Sequence, residues 1–271
     1  MFIKRLYPKI RQLKLLAPLA KKEKADIISI FDNNIFKIRV SHGCCFQCSY
    51  CAIRFAIGKL RSRPLEEIIN EFKEGLKNGH KKILPVCGDL GSYGIDIGLS
   101  IYDLLKGIFQ YPGDYKVLLN DFNIYWLLKD FDRLKYLLKS NQDKIDWILL
   151  PIQSGSDKIL KQMNRGQYPV ELMKKNLTEL RKEIPSLELK THILVGFPGE
   201  TSKDFQESLN LIKEIKFNEV CFFKYADLPN TISSCMPDKV SEIIKQIRFV
   251  YGVWFCSIWC RPYIKKASGT R

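Results

Sequence analysis

From residue 35 onward the chain repeats one pattern six times: a short apolar run, then a longer stretch with apolar residues at helical spacing. The runs are 35–40, 83–86, 117–119, 147–152, 187–195 and 220–223. In the first, Phe36, Ile38 and Val40 alternate with Lys37, Arg39 and Ser41, the period of a strand. In the first helical stretch Pro64 opens, Ile68, Ile69, Phe72 and Leu76 keep the helical interval, and Gly79 ends it. Helical patterns recur over 101–108, 125–138, 156–183 and 205–215. Alternation of this kind dictates parallel strands joined by right-handed crossovers. Six units do not close an eight-unit barrel.

A chain of 271 residues with 46% apolar content supports one large core. Four of the nine cysteines cluster in one loop, which reads as a metal site in a reducing compartment, not as a disulfide framework. The first 24 residues are basic, are broken by Pro8 and Pro18, and lack the apolar centre of a signal peptide. No apolar run reaches the length of a membrane span, and a cytoplasmic location is expected. The net charge is +15. That charge attracts phosphate backbones without specifying sequence; lysines filling solvated faces account for it equally well.

The chemistry-bearing residues follow the runs. After the first comes Cys44-Cys45-Phe46-Gln47-Cys48-Ser49-Tyr50-Cys51. Cys44, Cys48 and Cys51 stand at spacing C-x3-C-x2-C, and Cys45 falls outside that register. Zinc sites come as two C-x2-C pairs or with histidines, and no second pair exists here. Thiolates hold iron–sulfur clusters, and a four-iron cluster normally takes four. Three leave one iron open to chelate an amine and a carboxylate. After the second run come Gly88, which lets a ligand near the backbone, and Asp89, an acceptor for an ammonium. After the fourth come Gln153 and Ser154, able to hydrogen-bond a ribose, and Ser156, expected to cap the next helix. After the fifth come Gly196 and Gly199, which permit the close approach of an adenine edge. Lys190 and His192 share a strand face with Glu188 and Gly196; they line a cavity or a partly wet rim.

Cys48-Ser49-Tyr50-Cys51-Ala52-Ile53, Arg61-Ser62-Arg63-Pro64, Tyr93-Gly94, Gln153-Ser154-Gly155-Ser156, Met163-Asn164-Arg165 and Gly196-Phe197-Pro198-Gly199-Glu200-Thr201 follow one another in an order that resembles the radical S-adenosylmethionine (SAM) methylthiotransferases. The resemblance covers roughly 35–225. It implies an α/β fold, a partial (β/α)6 TIM-type barrel with chemistry at the C-terminal strand ends, and a C-terminal helical extension. It divides the chain into a basic arm (1–34), a core barrel (35–225) and the extension (226–271). It implies a [4Fe-4S] cluster on Cys44, Cys48 and Cys51, and SAM contacted by Tyr50, Gly88, Asp89, Gln153, Ser154, Lys190, His192 and Gly196. A flavodoxin- or ferredoxin-type reductant would deliver one electron, and the resulting 5′-deoxyadenosyl radical would take hydrogen from a peptide, protein or RNA substrate.

Departures from the family bear on sulfur transfer. The family holds an auxiliary cluster on three N-terminal cysteines, and residues 1–34 contain none. Arg54 stands where the family has proline, Ile57 where arginine is common, and His192 where it has aspartate. One cluster and no RNA methylthiolation by this chain alone are therefore expected, with a partner-dependent subunit as the reading from another class. Cys256 and Cys260 with Cys221 or Cys235 form the candidate second cluster; small core thiols are the plainer account. The stripe Val240 to Ile258, apolar on both sides from Phe249, predicts a buried helix. Packing across the open barrel or an oligomer contact would cover it.

Overall fold

The computed structural model describes residues 34–260, so the basic arm up to residue 33 and the last eleven positions, 261–271, lie outside the described residues. The chain divides into two compact units, Met1–Ile35 and Phe36–Arg271, and the second carries the strand–helix repeat.

The strands are β1 (Ile35–Arg39), β2 (Ser41–His42), β3 (Arg61–Ser62), β4 (Lys82–Val86), β5 (Lys116–Leu119), β6 (Ile145–Leu149), β7 (Leu189–Val195) and β8 (Glu219–Lys224). Six form one sheet in the order β1-β4-β5-β6-β7-β8. Every pairing from β4 to β8 is parallel. Sheet order equals chain order, so each crossover advances one strand in the same direction. The C-terminal ends of β4 to β8 therefore face one rim, as the partial barrel requires. β2 and β3 form a separate antiparallel ribbon, Ser41 opposite Ser62 and His42 opposite Arg61. That ribbon closes the base of the excursion that carries the cysteines.

The helices are α1 (Ile53–Ile57), α2 (Leu65–Lys77), α3 (Ile101–Phe109), α4 (Ile124–Lys129), α5 (Phe131–Ser140), α6 (Asp157–Gln162), α7 (Val170–Glu183), α8 (Ser202–Ile215) and α9 (Glu242–Trp259). Local signals set several starts. α2 begins after Pro64 with Glu66 and Glu67 in its first turn and Lys77 in its last, charges that complement the helix dipole. Capping boxes, Ser100 with Asp103 and Thr201 with Asp204, open α3 and α8. The main core lies between sheet and helices. Ile83, Val117, Ile148 and Val195 of the strands meet Ile68, Leu104, Leu177 and Leu209 of the helices there.

Three elements differ from the pattern. The helix expected over 125–138 is broken at Asp130, whose φ of −128° and ψ of 47° are not helical. The run 147–152 stays in the sheet only to Leu149; beyond it one isolated bridge, Gln153 to Ile193, rejoins β7. The apolar tail helix packs against the last strand–helix unit. α9 packs on β8 and beside α8, and Phe255 joins the main core, so it completes the sixth strand–helix unit. Its far side is not buried: Ile243 is 73% and Ile258 53% exposed.

Gly155 shows how tightly the units meet. A Cβ there would lie 2.6 Å from both the Glu207 carbonyl oxygen and the Ser208 Cα of α8. Backbone cannot yield as a side-chain tip can. Gly155→Ala is expected to lower stability by about 1–3 kcal/mol, the usual cost of overpacking, read as a reduced urea midpoint with an unchanged slope.

Candidate functional site

The loop from Gly43 to Ala52 has little secondary structure of its own, and hydrogen bonds to distant segments shape it. Ser49 N–H donates to the Met163 carbonyl at 3.0 Å and its hydroxyl to the Gln162 carbonyl at 2.8 Å. The Ser49 carbonyl accepts from Ser233 N–H at 2.9 Å. Asn164, held at φ 57° at the end of α6, donates from its amide to the Gln47 carbonyl at 2.9 Å. Cys44 N–H reaches the Gly58 carbonyl at 3.3 Å, and Cys51 N–H the Cys48 carbonyl at 3.1 Å. The loop is thus fixed between α1, the end of α6 and the turn before α9.

Burial removes water from these thiols and disfavours their thiolates. It pushes Cys44 up to about 12, against a lowering contact from Phe46 N–H, with the Asp89 charge adding to the rise. It pushes Cys45 up to about 11 for the same first reason. Cys48 is buried, and the Arg165 guanidinium donates to its sulfur at 3.6 Å. Among the described residues no three His, Cys, Asp or Glu side chains converge as one metal ion would need. A four-iron cluster asks for something else, since each thiolate meets a different iron. Three thiols in one pinned loop beside a buried cation fit such a cluster. None of the nine cysteines forms a disulfide. Cys256 and Cys260, singled out for a second cluster, pack against the main core.

Most of the other residues singled out from sequence lie in the loops that follow β4, β6 and β7; Lys190 and His192 lie within β7 itself. Tyr50 packs edge-on against Phe197, with ring centroids 6.5 Å apart. Around it a small apolar cluster contains Ile159, Met163, Leu194, Phe197 and Tyr225. Gly88 lets the Gly43 backbone come close: a Cβ there would lie 2.4 Å from the Gly43 carbonyl oxygen. Asp89 is buried, and its carboxylate accepts from Asn123 N–H at 3.0 Å, the Trp126 indole at 2.8 Å and Gly91 N–H at 3.3 Å. Burial raises its pKa while these donors pull it down. Asp89 therefore ties the loop after β4 to the start of α4, with most of its acceptor capacity in use.

Gln153 holds φ at 76° while its backbone bridges to His192 and Leu194. A non-glycine residue in that region is strained, a feature that clusters at functional sites. Ser154 is fully buried and its hydroxyl accepts from Ser156 N–H at 3.2 Å. The cap expected of the Ser156 side chain is not made. Ser156 stands at the N-cap of α6 but donates its hydroxyl to Asp204 at 2.7 Å, while Ser154 serves the helix start. Gly196, at φ 77°, admits Lys245 of α9, whose Cγ would lie 2.3 Å from an added Cβ. Its N–H donates to Glu200 at 2.6 Å, and Glu200 forms a buried ion pair with Arg248 at 2.6 Å. Burial pushes the Glu200 carboxyl up to about 7, with Arg248 opposing the rise.

Lys190 is the second residue of β7, roughly 16 Å from the Val195 end at strand rise. It pairs with Glu219 at 2.8 Å over the Trp147 ring. His192, midway along β7, meets the Phe223 ring edge-on at 4.9 Å. Sequence reasoning did not assign Arg165, Asn123 or Asp121. The one signal was the Met163-Asn164-Arg165 motif, which carried no role of its own. Asp121, at φ 51° after β5, has its carboxyl pushed up to about 6 by burial and then by Asp89.

A family model described as the radical SAM superfamily matches residues 38–212. The threonylcarbamoyladenosine tRNA methylthiotransferase MtaB of Thermotoga maritima is 38% identical over 233 residues, 85% of this chain and 52% of its own length. The ribosomal protein uS12 methylthiotransferase RimO of Geotalea uraniireducens is 34% identical over 216 residues, 78% of this chain and 47% of its own. The chain thus spans about half the length of the curated relatives it matches. Among solved structures, the radical S-adenosylmethionine methyltransferase TsrM of Kitasatospora setae superimposes with a TM-score of 0.58 at 17% identity, over 73% of this chain and 38% of that one. Streptococcus suis SuiB bound to S-adenosylmethionine gives 0.56 at 12% identity, over 93% and 58%. These two likenesses speak to the fold alone.

Adjacent loop residues point apart, so only one of Cys44 and Cys45 serves the triplet. Cys45→Ala is expected to keep the iron content and visible absorbance of anaerobically reconstituted protein, and Cys44→Ala to lose most of both. The reverse pattern would place the register one residue off.

Proposed function

The chain belongs to the radical SAM superfamily, and from that premise we propose that Cys44, Cys48 and Cys51 hold its [4Fe-4S] cluster, with SAM bound at the rim above β4, β6 and β7, for hydrogen abstraction from a peptide or macromolecular substrate. The observation that carries the reading is the triplet in a loop pinned at the strand-end rim. When bound, the reduced cluster and SAM supply a 5′-deoxyadenosyl radical, with methionine as the other product.

This chain's residues bind, orient and exclude water. Cys44, Cys48 and Cys51 would hold the cluster by three thiolates, with SAM as the ligand of its remaining iron. Tyr50, Phe197 and Tyr225 form an apolar wall beside the loop, which keeps water from a reactive carbon. Gln153 is held in a strained backbone conformation after β6. Asp89 and Glu200 keep the flanking loops in place through the contacts described above. Holding the target carbon at contact distance is catalysis by positioning. A reductant of flavodoxin or ferredoxin type supplies the electron.

A second reading is methylthio transfer to tRNA or a protein. The observation that favours it is the 38% identity to a tRNA methylthiotransferase. Both readings share SAM cleavage and differ in whether sulfur is then transferred to the substrate.

The test is product analysis. With SAM and dithionite, the anaerobically reconstituted chain is expected to form 5′-deoxyadenosine and methionine in equal amounts. Cys48→Ala should reduce the yield at least a hundredfold. No 5′-deoxyadenosine from a chain that holds its cluster would sink the reading.

A further inference from the structure

Arg165 is a buried cation with no anion beside it. It is 6% exposed, and among the described residues no carboxylate lies within ion-pair distance of it. Asp89, whose charge it feels, has its oxygens on Gly91, Asn123 and Trp126. The guanidinium donates to the Pro151 carbonyl at 2.6 Å and to Asn123 Oδ1 at 3.1 Å, both neutral acceptors. Its remaining contact is with Cys48 Sγ at 3.6 Å. Its Nε makes no hydrogen bond of good geometry, and the neutral hydroxyl of Tyr168 lies close enough to interact with the guanidinium.

A buried charge without a counter-charge costs several kcal/mol. Structures keep one only where something compensates it. Cys48 is one of the three thiols proposed as cluster ligands, and a cluster on three thiolates is an anionic group at this spot. Hydrogen bonds and charges at the sulfurs are among the levers that set a cluster's potential.

We propose that Arg165 is the counter-ion of the cluster and raises its reduction potential through Cys48. The inference rests on the assignment of the cluster to Cys44, Cys48 and Cys51. The reduced cluster carries one more negative charge than the oxidised one. A nearby cation stabilises the reduced form more, so electron entry becomes easier. Arg165 is a positioning and tuning residue: it touches a ligand atom, not substrate. Asn123 and Pro151 aim its fork, and the end of α6 delivers it from 117 positions away in sequence.

The test is a redox titration followed by electron paramagnetic resonance, on the full chain and on Arg165→Gln and Arg165→Lys. The Gln chain is expected to be about tenfold harder to reduce, a potential about 59 mV lower for one electron. The Lys chain, which keeps the charge, should recover most of that shift. A Gln chain that holds its cluster at the wild-type potential would overturn the inference alone. A wild-type chain with no cluster would overturn the assignment it rests on as well. A second measurement needs no substitution. Pulsed resonance on the reduced wild type, grown with arginine labelled with nitrogen-15 in the guanidinium, should show the label coupled to the cluster. If the Gln chain loses its cluster, this experiment decides, and an absent arginine coupling would overturn the inference.

Discussion

Ser49 fixes the geometry on which the site depends. All three of its polar groups bond to other parts of the chain: the hydroxyl to Gln162, the last residue of α6, the N–H to Met163 just beyond it, and the carbonyl to Ser233. Each such bond contributes about 0.5–1.5 kcal/mol net, and a buried group left without its partner costs more. Ser49 is 3% exposed, so no water replaces a lost partner. Cys48 and Tyr50 flank it. The positions of a candidate ligand and of an aromatic wall residue are therefore set by one serine, and through it by a helix more than a hundred residues on.

The sheet supplies the second constraint. Parallel strands in chain order send every loop after a strand to the same rim. On that rim the loops bind one another before they bind anything else. Gly88 admits the Gly43 carbonyl, and Gly196 admits Lys245. Asp89 joins the loop after β4 to the start of α4. Glu200 joins the loop after β7 to Arg248 of α9. These contacts preorganise the rim, which matters where binding must not require large rearrangement. They also make α9 part of the site's framework, since its two cations reach the loop after β7.

The fold was legible where signals are local. The switch between two-residue and helical periods located every strand of the six-stranded sheet. What was missed depends on distant partners. Nothing near Asp89 in sequence says that Trp126 and Asn123 consume its acceptors. Nothing near Gly196 says that Lys245 packs where its Cβ would be. Arg165 looks like an ordinary surface arginine until the turn after α6 carries it under Cys48. The break at Asp130 and the packing of α9 on β8 are likewise decided by tertiary contacts, which override local pattern. Lys190 and His192 were placed by parity on one face, yet parity says nothing of depth along the strand, and Lys190 lies at the end away from the rim.

The central claim is that three cysteines hold a four-iron cluster with one iron left for SAM. Mössbauer spectroscopy of chain reconstituted with iron-57 tests it most directly, recorded with and without SAM. The account predicts about four irons per chain, one of which changes its isomer shift when SAM is added while the others do not. Four irons that stay indistinguishable with SAM present, or an iron signal that survives replacement of Cys44, Cys48 and Cys51 together by alanine, would contradict it.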